Sequence, residues 1–178
     1  MRVVVVEAPA PVVTWQDANE QLKLDGDDTQ RLYVEGLIAA ATGLLDGPDG
    51  WLGRALGLQT LELYRPAPIF SSRVSLPYPP IIELLTVEFP YGDAWTPIDT
   101  SAYIIRGSTV EFRAGATSWD PANPEGIRLR FKAGYEILPA PIRAAILMMT
   151  SELYRNRGGG TADFSAASML LETYRVYR

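Results

Sequence analysis

The chain of 178 residues has neither cysteine nor histidine. The first absence excludes a disulfide framework, a thiol nucleophile and a thiolate metal cluster. The second removes the side chain that most often moves protons near neutral pH, and with it most catalytic templates. Long apolar runs are missing too. The N-terminal "MRVVVVEAPAPVV" places only four valines before Glu7, too short a run for a signal-peptide core or a membrane span. The expectation is a cytoplasmic, unprocessed protein. There is no low-complexity tract and no internal repeat. The apolar content of 47% and charged content of 21% are those of an ordinary globular chain, and the length suits one domain with a real core.

A basic surface is scarce as well. The net charge is −5, with nine acidic and three basic side chains in residues 1–50 but three acidic and five basic in residues 143–178. An acidic chain lacks the lysine and arginine face that neutralises phosphates, which argues against tight binding to duplex DNA.

What is present reads as two helical ends around a β-rich middle. In "TWQDANEQL", Thr14 caps a short helix and Asp17 stands at the capping-box position. "LKLDGDDT" breaks it, and Asp27 or Asp28 caps a second helix, "TQRLYVEGLIAAATGLL". Leu32, Gly36, Ala39, Ala40 and Gly43 form a small-residue surface there, beside Leu37, Ile38, Leu44 and Leu45. "DGPDG" ends that helix, and "GWLGRALG" adds a turn or short helix.

From Leu58 the apolar period changes from helical to alternating. "LQTLELYR" places Leu58, Thr60, Glu62 and Tyr64 on one face and Gln59, Leu61, Leu63 and Arg65 on the other. "IIELLTVEF", "AYIIR", "TVEFR" and "IRLRFKAGY" read as further strands, whereas "RVSLPYPPI" holds too much proline for a central one. In "IRLRFK", Ile127, Leu129 and Phe131 point one way and Arg128, Arg130 and Lys132 the other. After Gly134 the helical period returns: Pro139 and Pro141 suit a first turn, and Ile142, Ala145, Ile146, Met149 and Leu153 repeat on one face. "RNRGGG" stops this helix with basic side chains at its negative end. "SAASMLLETY" is a last helix leading to "RVYR".

These patterns predict an α+β fold, a helical bundle formed by N- and C-terminal helices with a central inserted antiparallel β segment. As a single domain it divides into helical parts at 14–56 and 139–173, a β-rich lobe at 58–133, and a flexible C-terminal element at 158–178.

Motifs for chemistry are weak. "DGDDTQRLYVEG" begins like a calcium loop but has Gln30 where a turn glycine is needed and Gly36 where a bidentate carboxylate is needed. Glu83 with Glu88, or Asp93 with Asp99, are carboxylates that glycoside hydrolysis would require in pairs. "RNRGGGTADFS" lacks the lysine of a phosphate loop. Trp51, Trp95, Trp119 and Tyr78 stand in or near loops, where aromatic residues more often close a core or anchor an interface than bind sugars or bases. The reading is no catalytic residue, no metal and no cofactor.

Three strings carry a resemblance: "VTWQDANEQLKLDGDDTQRLYVEGLIAAAT", "IRLRFKAGYEILPAPIRAAILMMTSELYRNR" and the closing "MLLETYRVYR". In their order and spacing the chain resembles the head-tail connector (adaptor, or head-completion) proteins of long-tailed bacteriophages and related gene-transfer particles. Residues 66–126, with the proline-rich segment 66–80, carry much less of the likeness. The resemblance implies a structural virion protein and not an enzyme. It implies a ring, dodecameric in the particle, under the portal protein. Such a ring extends the DNA channel without specific DNA binding and docks a downstream neck or stopper protein, with no membrane involved. It also implies a location in the phage neck, and in the host cytoplasm before assembly. Another neck or tail-completion ring protein is the alternative within that biology; a small carbohydrate-binding or hydrolytic β domain is the alternative outside it. The expected portal interface is the C-terminal element, with Phe164, Met169, Leu170 and Tyr174 as apolar and aromatic anchors; the alternative is that this helix packs back on its own subunit. Arg175, Tyr177 and Arg178 add the aromatic and arginine side chains that dominate interface energies.

Overall fold

The computed structural model describes residues 1–66, 73–92, 94–113 and 126–177. The chain divides into two compact units, each assembled from two stretches of sequence: Pro9–Gly57 with Tyr135–Arg178, and Met1–Ala8 with Leu58–Gly134.

The first unit is helical. Helix α1 (Trp15–Leu22) starts at a complete capping box. The Thr14 hydroxyl accepts from the Asp17 amide at 3.3 Å, and the Asp17 carboxylate accepts from the Thr14 amide at 2.9 Å, so two donors of the first turn are satisfied reciprocally. Lys23, at φ 56°, ends the helix in the left-handed region. Asp27 caps a 3-10 turn, Asp28–Gln30, by accepting from the Thr29 amide at 2.9 Å. That turn feeds helix α2 (Arg31–Gly43).

The buried row of α2 is Val34, Ile38 and Ala41. The small-residue surface expected from the sequence faces outward: Leu32 is 85% exposed, and added Cβ atoms at Gly36 and Gly43 would meet open space. The face that carries Val34, Ile38 and Ala41 is the one that shares a cluster with Ile142, Ala145 and Ile146.

Helix α3 (Ala140–Arg155) begins at Pro139 and carries Pro141 in its first turn, where no amide partner is lost. Ile142, Ala145 and Ile146 are fully buried and Met149 nearly so, in one cluster with Val13, Trp15, Ala18, Val34, Ile38, Ala41, Leu52 and Leu56. The hydroxyls of Thr150 and Ser151 bond back to the carbonyls of Ile146 and Leu147 at 2.8 and 2.9 Å, so the inward face carries no orphaned polar atom there. Arg143 ties α3 to α1 through Asp17 at 2.5 Å. Burial pushes the Asp17 carboxyl up, and bonds from the Thr14 backbone and from Arg143 more than reverse this, holding it below its ordinary 3.8. Arg157 closes the far end: its Nε donates to the Tyr154 carbonyl, its guanidinium lies 3.8 Å from the Tyr154 ring centre and 5.2 Å from that of Tyr33, and Gln30 accepts from the side chains of Tyr154 and Arg157. Cations are favoured at that negative helix end.

The second unit holds the strands β1 (Arg2–Glu7), β2 (Gln59–Arg65), β3 (Arg73–Ser75), β4 (Ile81–Tyr91), β5 (Ala94–Pro97), β6 (Tyr103–Arg106), β7 (Thr109–Phe112) and β8 (Ile127–Ala133). They form a five-stranded sheet in the order β1-β2-β8-β4-β5 and a three-stranded sheet in the order β3-β7-β6. Every strand pair is antiparallel. The alternating pattern predicts β2, β4, β6, β7 and β8; the structure adds β1, β3 and the short β5. Strand β3, at the start of the proline-rich "RVSLPYPPI", stands at a sheet edge, where prolines nearby are tolerated.

The alternation read in β2 and β8 is realised in their register. Leu61 pairs with Phe131 and Leu63 with Leu129, all fully buried. The opposite face is ionic and aromatic. Glu62 accepts from Arg130 at 2.5 Å and from the Tyr64 hydroxyl at 2.6 Å, and Glu88 accepts from Arg128 at 2.5 Å. Arg128 lies 4.7 Å from the Trp95 ring centre and Arg2 lies 4.3 Å from that of Tyr64. Glu62 is only 6% exposed. Its burial pushes the carboxyl up, but the hydrogen bonds from Tyr64 and Arg130 and the charges of Arg130 and Arg128 leave it below its ordinary 4.5. In the smaller sheet, Arg73 and Arg106 both pair with Glu111, at 2.9 and 3.2 Å.

Two outcomes are expected. Ile146→Asp places an unpaired carboxylate at a position with no exposure. The expected cost is several kcal/mol, against the ~5–15 kcal/mol stability of a typical domain, so circular dichroism on heating should show no cooperative transition for the helical unit. A wild-type melt would place that face outside the core. The second concerns acid. The folded Glu62 carboxyl titrates below its unfolded value, so the unfolded chain binds more protons in that window. Its stabilisation is full above about pH 4.5 and is lost as pH falls through the folded value. Urea titrations should show Glu62→Gln less stable than wild type at pH 7, with the gap shrinking below about pH 4.5; a gap independent of pH would contradict this.

Candidate docking surface

The C-terminal element begins where the glycines turn the chain away from α3. Gly159 sits at φ +98°, and a Cβ on Gly160 would lie 2.8 Å from the Asn156 side-chain oxygen, so both positions favour glycine. Asp163 accepts from the Ser165 amide at 2.9 Å, opening helix α4 (Ser165–Leu171). Ala167 and Leu171, four residues apart and therefore on one face, are 3% and 1% exposed and belong to the helical core; Phe164 and Tyr174 pack partly against it. Met169 and Leu170, on the other side, are 81% and 40% exposed.

After a 3-10 turn at Glu172–Tyr174 the chain runs extended along the loop between α2 and β2. That loop is rigid. Leu52, Ala55 and Leu56 have no exposure, and Asp46 accepts from the Leu56 amide at 2.7 Å. The Gly47 amide donates to the Arg54 carbonyl at 2.7 Å and the Trp51 amide to the Leu44 carbonyl at 2.8 Å. Gly50 packs so closely that a Cβ would fall 2.3 Å from the Leu45 carbonyl carbon.

Three contacts fasten the tail there. Arg54 Nε donates to the Tyr174 carbonyl, and the Val176 amide donates to the Leu52 carbonyl at 2.9 Å. The Arg175 guanidinium lies 4.5 Å from the Trp51 ring centre and 4.8 Å from that of Tyr177. The Tyr177 hydroxyl, whose proton is held more tightly because it is donated to Glu172 at 2.6 Å, belongs to a side chain still 69% exposed.

The expected interface residues therefore separate into three groups. Phe164 and Tyr174 lean on the core, Met169 and Leu170 face out from α4, and Arg175 and Tyr177 gather at Trp51. Arg178 lies outside the described residues. Within the C-terminal element expected at 158–178, α4 packs Ala167 and Leu171 into the helical core, a burial that offsets the cost of ordering a short helix. Trp51 was counted only as a loop aromatic, and the tail-binding roles of Leu52 and Arg54 were missed. The glycines and aspartates of "DGPDGWLGRALG" marked a tight loop but not what it holds.

The other candidates do not converge. Glu88 is engaged by Arg128 at 2.5 Å and Glu83 lies 3.8 Å from Lys132, so each carboxylate faces its own cation. Asp99 caps a 3-10 turn through the Ser101 amide at 2.8 Å, and its suggested partner Asp93 lies outside the described residues, as does Trp119. Trp95 is covered by Arg128 and Tyr64, and Tyr78 is buried at 4% exposure. Among the described residues no group of three or more acidic side chains is placed to hold a metal ion. Among the described residues no helix is long and apolar enough to cross a membrane.

The sequence matches no family model and no curated protein. The fold is similar to that of chains in solved structures. One belongs to the virion of a native gene transfer agent (GTA) particle, with a TM-score of 0.79 and 19% identity over 100% of this chain and 97% of that one. A chain of the neck of an empty GTA particle, computed with C6 symmetry, gives a TM-score of 0.75 at 19% identity with the same coverage. A chain of the neck of a native GTA particle, computed with C12 symmetry, gives 0.71 at 18% identity, again over 100% and 97% of the two chains. Likeness at these identities shows a shared α+β fold along the whole chain.

The two faces of α4 should respond differently to truncation. Leu171→Ala is expected to destabilise by about 2–5 kcal/mol, as buried leucines do, and Met169→Ala by less than about 0.5 kcal/mol, as exposed positions do. Denaturant midpoints measure both, and equal effects would contradict the orientation of the helix.

Proposed function

We propose that this chain is a structural protein of the neck of a phage-like particle, a head-tail adaptor that assembles as a ring of twelve beneath the portal protein. The observation that carries the reading is the full-length likeness to chains of GTA virion and neck structures, one computed with twelve-fold symmetry. The ring extends the channel through which DNA passes and offers a surface to the next neck protein. Before assembly the subunit resides in the host cytoplasm; afterwards it is part of the virion.

The chemistry supports a structural role. Glu88 and Glu83 each face a separate cation and Asp99 caps a turn. A net charge of −5 suits a conduit, because each neutralised phosphate adds affinity and would retard sliding DNA. On this reading the C-terminal element is the portal-binding part. Met169 and Leu170 supply apolar contact, and Arg175 and Tyr177 supply the arginine and aromatic groups suited to interface centres.

The purified chain, mixed with portal rings encoded in the same genome, is expected to co-sediment with them at one copy per portal subunit, with twelve-fold density beneath the ring in class averages. Failure to bind portal rings, with binding instead to an assembled tail tube, would replace the adaptor by a tail-completion protein.

A further inference from the structure

We propose that residues 172–177 form a closed latch in the free subunit, held by the loop around Trp51–Arg54, and that portal docking takes the tail off that loop. The proposal rests on the reading of the C-terminal element as the portal-binding part. It adds that the groups meant for the partner are already occupied within the subunit. The Tyr174 carbonyl is taken by Arg54, the Val176 amide by the Leu52 carbonyl, and the Arg175 guanidinium by Trp51.

Two features make this a latch and not a further piece of core. The boundary falls at Leu171: that side chain is 1% exposed, whereas no residue from 172 to 177 is buried. The tail is thus held by two hydrogen bonds to its main chain, a stacked cation and the partial packing of Tyr174 on the core, with its last ring largely in water. Segments with few buried contacts open locally without global unfolding. The receiving loop, by contrast, is fixed by three fully buried side chains, Leu52, Ala55 and Leu56. When the tail leaves, the loop stays, and Trp51 and Arg54 lose their ligand.

A closed latch lowers apparent affinity by the fraction of subunits that are open, so loosening it from the loop side strengthens docking. Arg54→Ala removes a latch bond without touching the tail. Hydrogen exchange of the Val176 amide and titration against portal rings from the same genome test the idea together. Wild type should show Val176 protected when free and altered Trp51 emission when bound. Arg54→Ala should exchange faster at Val176 and bind the rings about 2–10-fold more tightly. Should Arg54→Ala lose its cooperative melt, Trp51→Leu, which removes the stacking platform, is read in the same way. If the tail keeps its Val176 protection and Trp51 emission in the portal complex, and the loop variants bind no tighter than wild type, the latch is wrong while the adaptor stands. If neither wild type nor variant binds the rings, the adaptor reading falls and the latch with it.

Discussion

The apolar face of α3 is the constraint on which the helical unit depends. Ile142, Ala145, Ile146 and Met149 leave water only by meeting Val34, Ile38 and Ala41 of α2 and Trp15 and Ala18 of α1, residues about a hundred positions earlier. Neither stretch buries its own stripe alone. The strands from Gln59 to Ala133 therefore sit as an insertion between two halves of one core. Polar groups along this core are settled locally: Thr150 and Ser151 turn their hydroxyls into the helix, and Asp17 serves both as a cap and as the partner of Arg143.

That core also decides what the C-terminus does. Leu171 and Ala167 enter it and fix α4, while Met169 and Leu170 remain outside because a seven-residue helix has only one face to give. Beyond Leu171 the chain is held by fewer contacts: one bond from the Arg54 side chain, one main-chain bond, an arginine beside two rings and the partial packing of Tyr174. On the proposed adaptor reading, such a division leaves the last residues with attachments that a partner could replace while the helical core stays folded.

Much of this was legible because short-range patterns carry it. The Thr14 and Asp17 spacing gave the capping box, the Ile142–Ile146–Met149 period gave the buried face of α3, and the Ile127–Leu129–Phe131 alternation gave the sheet register's two sides. The rest depends on long-range pairing. Strand β1 reads as four valines with no alternation and finds its partner, β2, more than fifty residues later. On α2 the small residues were visible, but which side the core would choose depended on α3. The tail shows both regimes. The spacing of Ala167 and Leu171 was present in "SAASMLL", yet Met169 and Leu170 between them suggested a helix free to meet a partner, and nothing local links Arg54 to a carbonyl 120 positions away.

A reconstruction of the neck in intact particles from the source genome tests the central claim most directly, since it asks where this chain is and which end meets the portal. The expected map has twelve copies in a ring directly beneath the portal, with the density of residues 172–177 in contact with portal subunits. A neck without this chain, or a ring whose C-terminal segments point away from the portal, would contradict it.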